Sequence, residues 1–335
     1  MEQLISKLCL LSGTSGNEGA VRDFIIQNVK DYCDVKIDAT GNIICYKKGR
    51  LSSDKTIMID AHMDEVGFIV TNITEDGFLK FASVGGVSPS VSIARRIVFS
   101  NGTVGVISAK PVHLLSSDER KKLPDLDDMF IDIGAKSKED ALKYVNLGDT
   151  AVFEGDFIKI ENNILSKAID DRVGVAILIK MLKEDSLYDF YGVFSWGEEI
   201  GCRGAKTATF ALNPQYSIVL EATTAADIDG VSKENKVCSL GEGTVLSFMD
   251  RGTLYDKELF ETAKAVAEKN NINYQIKSAV AGGNNASAIH LSRSGVKTVA
   301  LSVPCRYIHS ARSICCYDDV VSSYLLASAL LKELG

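Results

Sequence analysis

Residues 191–205, YGVFSWGEEIGCRGA, place two acids, Glu198 and Glu199, one glycine after an apolar run that ends in Trp196. Such a run reads as a buried strand. Neighbouring like charges repel, and a strand exit is partly desolvated, so a structural role asks for one acid there, as a partner of a helix start. Two acids point to a cation, or to one carboxyl group held ready to move protons. The same residue types recur. Segment 56–61 runs into His62-Met63-Asp64. AIDDRVG carries Asp170 and Asp171 ahead of a helix, YSIVLEA reaches Glu221, and VKTVALSVP leads into CRYIHSA with His309.

Imidazoles and carboxylates in this combination suit two divalent ions of the zinc, cobalt or manganese kind, with no thiolate required. A pair of ions ~3.5–4 Å apart needs one bridging carboxylate and terminal ligands on each side. Asp170 can bridge; His62 with Glu221, and Glu199 with His309, can terminate. Glu198 is then free to act as a general base. Asp64, two residues after His62, can accept the other ring N–H and fix its orientation. Taken singly, each feature is ordinary. A lone histidine usually packs, Asp-Asp before a helix caps it, and Glu-Glu can be a solvated helix start. Five such positions at successive strand ends reverse that reading. His113 and His290 fall outside the set and are read as structural.

The elements that must position these side chains follow from periodicity. Helical spacing marks the N-terminus and 17–32, and VKIDATGNIICYKK reads as a hairpin turning at Thr40-Gly41-Asn42. Between 68 and 160 the pattern changes to short alternating runs punctuated by Asp76-Gly77, Gly85-Gly86, Asn101-Gly102 and Gly148-Asp149, with one helix near 138–145. That pattern predicts a small β-barrel or sandwich. After Ile169, helices at 172–184, 202–211, 256–270 and 317–334 alternate with strands, which implies a parallel-rich sheet covered on both faces. The predicted organisation is an α/β catalytic domain, 1–67 plus 161–335, interrupted by a β-rich insertion, 68–160. In an open α/β sheet, chemistry gathers at the carboxyl ends of the strands. The stretch 116–128, SSDERKKLPDLDD, reads as a solvated loop.

Composition narrows the function. With 46% hydrophobic and 24% charged residues, the 335-residue chain is that of a globular protein. Its net charge of -7 gives nucleic acid no electrostatic support. No run nears the ~20 apolar residues that span a bilayer, and the N-terminus reads as an amphipathic helix and not as a signal peptide. The eight cysteines form no C-x-x-C and mostly lie in apolar patterns, so they are expected to be reduced core thiols, and the compartment the cytoplasm.

AHMDEVG, IDDRVG, GEEIGCRGA, the acidic strand end near LEATTAADI and the late RYIHS together resemble the tetrahedral (TET) aminopeptidase family, dinuclear metallopeptidases similar to glutamyl and deblocking aminopeptidases, several of which carry endoglucanase names. The resemblance covers nearly the whole chain in order, insertion included. It implies a three-layer α/β/α domain with a mixed sheet. It also implies a PDZ-like β-barrel insertion used for dimerisation, and dimers assembled into a tetrahedral dodecamer. By motif, His62, Asp170, Glu199, Glu221 and His309 correspond to metal ligands, Glu198 to the general base and Asp64 to the residue orienting His62. The bridging carboxylate is the first Asp of the pair, since the peptide after it is cis in the family. Two positions depart from the pattern: Glu221 stands where the family usually has Asp, and GGNNA (282–286) where it often has GGTDA.

The expected activity is release of N-terminal residues from peptides, using two divalent ions, zinc or cobalt, with Glu198 passing a proton from water to the departing amine. The rivals are a metal-dependent deacylase of small amides, a non-catalytic assembly protein and an endoglucanase. A glycosidase pair must sit ~5–9.5 Å apart across the bond, which adjacent residues seldom do.

Overall fold

The runs IMIDAH, FYGVFS, YSIVLEATT and KTVALSVPCR are almost wholly buried. In the computed structural model, which describes residues 1–335, they form the parallel centre of one mixed sheet. The strand order is Asp34–Ile37, Ile43–Lys47, Phe190–Ser195, Ile57–His62, Tyr216–Thr224, Lys297–Arg306, Ser313–Cys316, Asn163–Ser166, Ile158–Ile160. Strand pairs from 190–195 through 297–306 run parallel, and the outer pairs are antiparallel. Successive side chains of a strand face opposite ways, so each strand feeds two cores. Ile57, Ile59, Phe194, Ile218 and Leu220 join the core beneath the Ile169–Lys183 helix, together with residues of Glu2–Leu10, Gly19–Val29 and Tyr317–Leu334. Met58, Val193, Val219 and Ala300 face the other way, against Ala205 and Ala208 of the Arg203–Leu212 helix. The result is a three-layer α/β/α domain.

The register decides where the chemistry goes. Ser195 pairs with His62, and Val219 with Asp60, which carries Glu221 out beside His62. All these side chains emerge at the carboxyl ends of parallel strands.

The turn-punctuated segment closes on itself. Strands Gly67–Ile73, Leu79–Val84, Phe130–Asp132, Val104–Ser108, Arg96–Phe99 and Thr150–Phe153 make a closed barrel. Phe68 lies edge-on to Phe81 at 5.3 Å and to Phe153 at 5.1 Å, the heart of a core separate from the larger ones. Closure removes the sheet edges within the barrel. The barrel strands end at Phe153. Ile158–Ile160, which the alternation assigns to the insertion, instead pairs with Asn163–Ser166 and so extends the large sheet. Alternating apolar residues suit either sheet, and only the Asn163–Ser166 partner decides. The helix expected near 138–145 is a single turn, Lys138–Ala141. Residues 116–128 are exposed apart from partial cover at a few positions, and hold two short 3-10 turns.

The barrel joins the catalytic domain without slack. A Cβ on Gly67 would lie 2.1 Å from Thr14 Cγ2 and 2.5 Å from the Ala151 carbonyl, so only glycine fits where the N-terminal loop crosses the first barrel strand. Just before it, the Glu65 N–H donates to the Gly13 carbonyl at 2.9 Å.

Candidate active site

The Ile57–His62 strand delivers a histidine that is 1% exposed. Its Nδ1 lies 3.1 Å from the Asp64 carbonyl and 3.3 Å from Asp64 Oδ1, while Nε2 faces Asp170 Oδ1 at 3.1 Å and Glu221 Oε1 at 3.4 Å. One ring nitrogen is thus anchored by the loop that follows the strand, and the other is aimed at carboxylates. Asp64 does more than orient the ring. It accepts the Ser15 hydroxyl at 2.5 Å and the backbone N–H groups of Glu198 and Glu199 at 3.0 and 3.1 Å. Burial opposes its ionisation, but the His62 ring and these donors outweigh that and hold its pKa below the usual value. The two adjacent glutamates are therefore fixed by one buried carboxylate from another strand end.

Asp170 stands between the two histidines. Its Oδ1 meets His62, and its Oδ2 lies 3.4 Å from His309 Nε2. The left-handed Ala168 and a cis Asp170–Asp171 peptide precede the regular part of the helix. Burial works against ionisation of Asp170, yet the two imidazoles hold its carboxyl far below the usual range. Glu199 Oε1 is 3.3 Å from His309 Nε2. Burial raises the pKa of Glu199 and, well above the ordinary value, that of Glu221, against the pull of His309 and His62 respectively. Glu198 sits beside this set but is in ion-pair contact with neither imidazole. Burial lifts it to about 8, opposed by His62 and reinforced by Glu199 and Asp170.

His309 comes from the loop between Lys297–Arg306 and Ser313–Cys316 and has a left-handed φ of 60°. Its Nδ1 is 3.0 Å from the carbonyl of Gly86, a residue of the inserted segment. A Cβ on Gly85 would approach Glu199 Cβ at 3.1 Å, so the Gly85-Gly86 turn rests directly on the site. The insertion supplies no ligand-type side chain here, but it buttresses one.

The residues present fit divalent cations. Asp171 Oδ2 and Glu221 Oε2 are fully buried and have no hydrogen-bond partner, and buried Glu199 Oε1 has only His309 Nε2 near it, at 3.3 Å. Buried oxygens left in that state are costly unless something positive meets them. Two sets of ligand atoms converge, His62 with Asp171 and Glu221, and Asp170 with Glu199 and His309. All are oxygen or imidazole nitrogen, the donor set of zinc-like ions. The segment 41–326 matches the family model described as M42 glutamyl aminopeptidase. The chain belongs to the M42 family. A lysyl aminopeptidase of Pyrococcus furiosus is 35% identical over 99% of this chain and 97% of its own. Among solved structures, an aminopeptidase from the archaeon Desulfurococcus kamchatkensis is 36% identical with a TM-score of 0.93, covering 99% of this chain and 94% of its own. The TET1 peptidase of Pyrococcus horikoshii is 34% identical with a TM-score of 0.87, covering 98% of each. This M42 chain is accordingly a peptide-bond hydrolase of the aminopeptidase kind, and the resemblance drawn from its motifs holds.

Several residues around the site were given no role by the motifs. Asp171 lies with His62 and Glu221, and its Oδ1 accepts the Gly174 N–H at 3.1 Å. Glu65, buried beneath the site, takes Lys167 Nζ at 2.7 and 2.8 Å and Arg172 Nη2 at 3.2 Å. Both cations also reach back to the N-terminal helix, Arg172 Nη1 to the Leu8 carbonyl at 2.6 Å and Lys167 Nζ to the Leu11 carbonyl at 2.9 Å. The signal was present, since Glu65 follows Asp64 and Arg172 follows Asp171, but their pairing is not visible in one dimension. Asn285, one of the two asparagines that depart from the family pattern, donates to Asp60 Oδ2 at 2.7 Å and to Ser195 Oγ at 2.8 Å. It therefore braces the strand behind His62. His290 caps its own short helix, its Nδ1 2.6 Å from the Ala286 carbonyl. His113, read as structural, is exposed on the surface turn Val112–Leu114 and lies outside the site. All eight cysteines are free, six of them buried. No helix is long and apolar enough to cross a membrane.

Proposed function

We propose that the chain removes N-terminal residues from peptides with two divalent ions, zinc or cobalt, held by His62, Glu221, Asp170, Glu199 and His309. The observation that supports this most is Asp170, whose two oxygens face one imidazole each. Bound there, the ions would supply Lewis acidity to the scissile carbonyl and make the attacking water more acidic. The remaining work falls to side chains. Asp64 fixes the His62 ring and, through two backbone N–H groups, the position of Glu198. Glu198 takes the proton from the attacking water and gives it to the departing amine.

The test is a panel of aminoacyl p-nitroanilides, an N-acyl amide and a cellulosic polymer, assayed before and after chelation. The expected result is anilide hydrolysis lost on chelation and restored by zinc or cobalt. Cleavage of only the N-acyl amide or the polymer would sink the aminopeptidase reading.

The TET1 relative can assemble into a tetrahedron or an octahedral shell. By that likeness the barrel is the dimerisation domain of this chain, and dimers join through catalytic domains into a dodecamer that admits peptides and excludes folded proteins. Light scattering checks this directly. An active species that stays at the 36.2 kDa of one chain at micromolar concentration is incompatible with it.

A further inference from the structure

Beside His309 lies a second hollow, of about 330 Å³, walled by Val91 and Arg95 of the insertion and by Tyr307, Ile308, Ser310, Ala311 and Arg312 of the His309 loop. Ser310 lines both this hollow and the small pocket that holds Asp170, Glu199 and His309, so the two adjoin across one residue. Their linings differ in charge. The pocket at the histidines carries Glu65, Asp170 and Glu199 beside Lys167 and His309, whereas the hollow carries two guanidinium groups and no acid. Arg312 is already paired with Asp156. Arg95 has no acidic partner, and its one hydrogen bond runs from Nε to the Val91 carbonyl at 3.3 Å. Both of its terminal nitrogens remain to meet an anion, in the fork geometry that suits a carboxylate.

The geometry points to this hollow as the subsite for the C-terminal part of a short peptide, with Arg95 binding the terminal carboxylate. This rests on the aminopeptidase reading and narrows it to short peptides with a free C-terminus. The direction follows from charge. A free α-ammonium is repelled by the unpaired Arg95 guanidinium whereas a terminal carboxylate is drawn to it, so the end of the peptide that enters the hollow is the C-terminal one. The apolar floor of Val91, Ile308 and Ala311 suits the side chains between. The insertion then has a use besides assembly, because it supplies one wall of the substrate cleft together with the Gly86 carbonyl behind His309.

The experiment compares a tripeptide free acid with its C-terminal amide, using the metal-loaded wild type, Arg95→Gln and Arg95→Lys. All rates are referred to hydrolysis of an aminoacyl p-nitroanilide by the same variant, since that substrate has no residue beyond the scissile bond. Wild type should prefer the acid by about tenfold in KM, the worth of one well-placed ionic contact. Arg95→Gln should erase the preference by weakening the acid alone, and Arg95→Lys should keep part of it. Equal KM values for acid and amide in wild type, or equal weakening of both by Arg95→Gln, would overturn the proposal. If the anilide itself is untouched by wild type, the aminopeptidase reading has failed. Calorimetric binding of the acid and the amide to the same proteins then still decides the subsite by the same comparison.

Discussion

Replacing Glu198 by Gln should leave the metal content of the protein at the wild-type level while lowering kcat by about 10²–10⁴-fold, the usual contribution of a positioned general base. The substitution keeps size and leaves the backbone N–H that donates to Asp64 at 3.0 Å in place. Neither histidine contacts the Glu198 carboxyl, so no proposed ligand set is opened. Glu199→Ala is the natural contrast. It removes the carboxylate 3.3 Å from His309 Nε2 and should cost one ion of the two. Elemental analysis of the two variants side by side separates the roles. Equal metal loss in both would mean that the division of labour within the pair is wrong, whatever happens to the rate.

The second large effect is expected at Glu65. Its carboxylate is the shared partner of Lys167 and Arg172, with the three side chains 4%, 4% and 0% exposed. Burial pushes the Lys167 ammonium below its ordinary pKa, against the pull of Glu65. Glu65→Gln would leave two cations in a dry interior with only backbone carbonyls and a neutral amide to meet them. Breaking a buried ion pair from one side costs about 3–5 kcal/mol. Urea denaturation followed by the single tryptophan, Trp196 of the catalytic domain, should show a loss of that size. The barrel has its own core and no tryptophan, so the signal reports on the domain of interest. A change below ~0.5 kcal/mol would mean that the triad is an accessory feature and that packing of the Ile169–Lys183 helix alone holds this region.

The two predictions differ in how visible their residues were in the sequence. Glu198 could be singled out because an adjacent pair of acids at a strand exit is costly without a cation. Glu65 could not, since its partners lie 102 and 107 positions away. The same contrast runs through the site. Apolar runs of strand length ending in His62, Glu221 and the Glu198-Glu199 pair were legible, because burial of the sheet demands continuous apolar residues and strand ends are where polar groups become tolerable. The Asp171 carboxyl, the Gly86 carbonyl on His309 and the Ser15 hydroxyl on Asp64 were not, because each contact joins segments with no shared periodicity.

By itself the sequence determined the alternation of strands and helices, the turn-rich texture of a second domain, and the set of acids and imidazoles able to hold divalent cations. These are consequences of local pattern: the period of hydrophobic burial and the chemistry of each side chain. Only the tertiary structure decided the strand order that brings His62, Glu221 and the glutamate pair to one edge of the sheet, and the transfer of Ile158–Ile160 from the barrel to the large sheet. It alone decided that the Gly85-Gly86 turn of the insertion would press on the site and that Val91 and Arg95 would wall a cationic hollow beside it. Those outcomes depend on which surfaces meet across a hundred or more residues, where packing and pairing energies select among partners that the local pattern leaves equivalent.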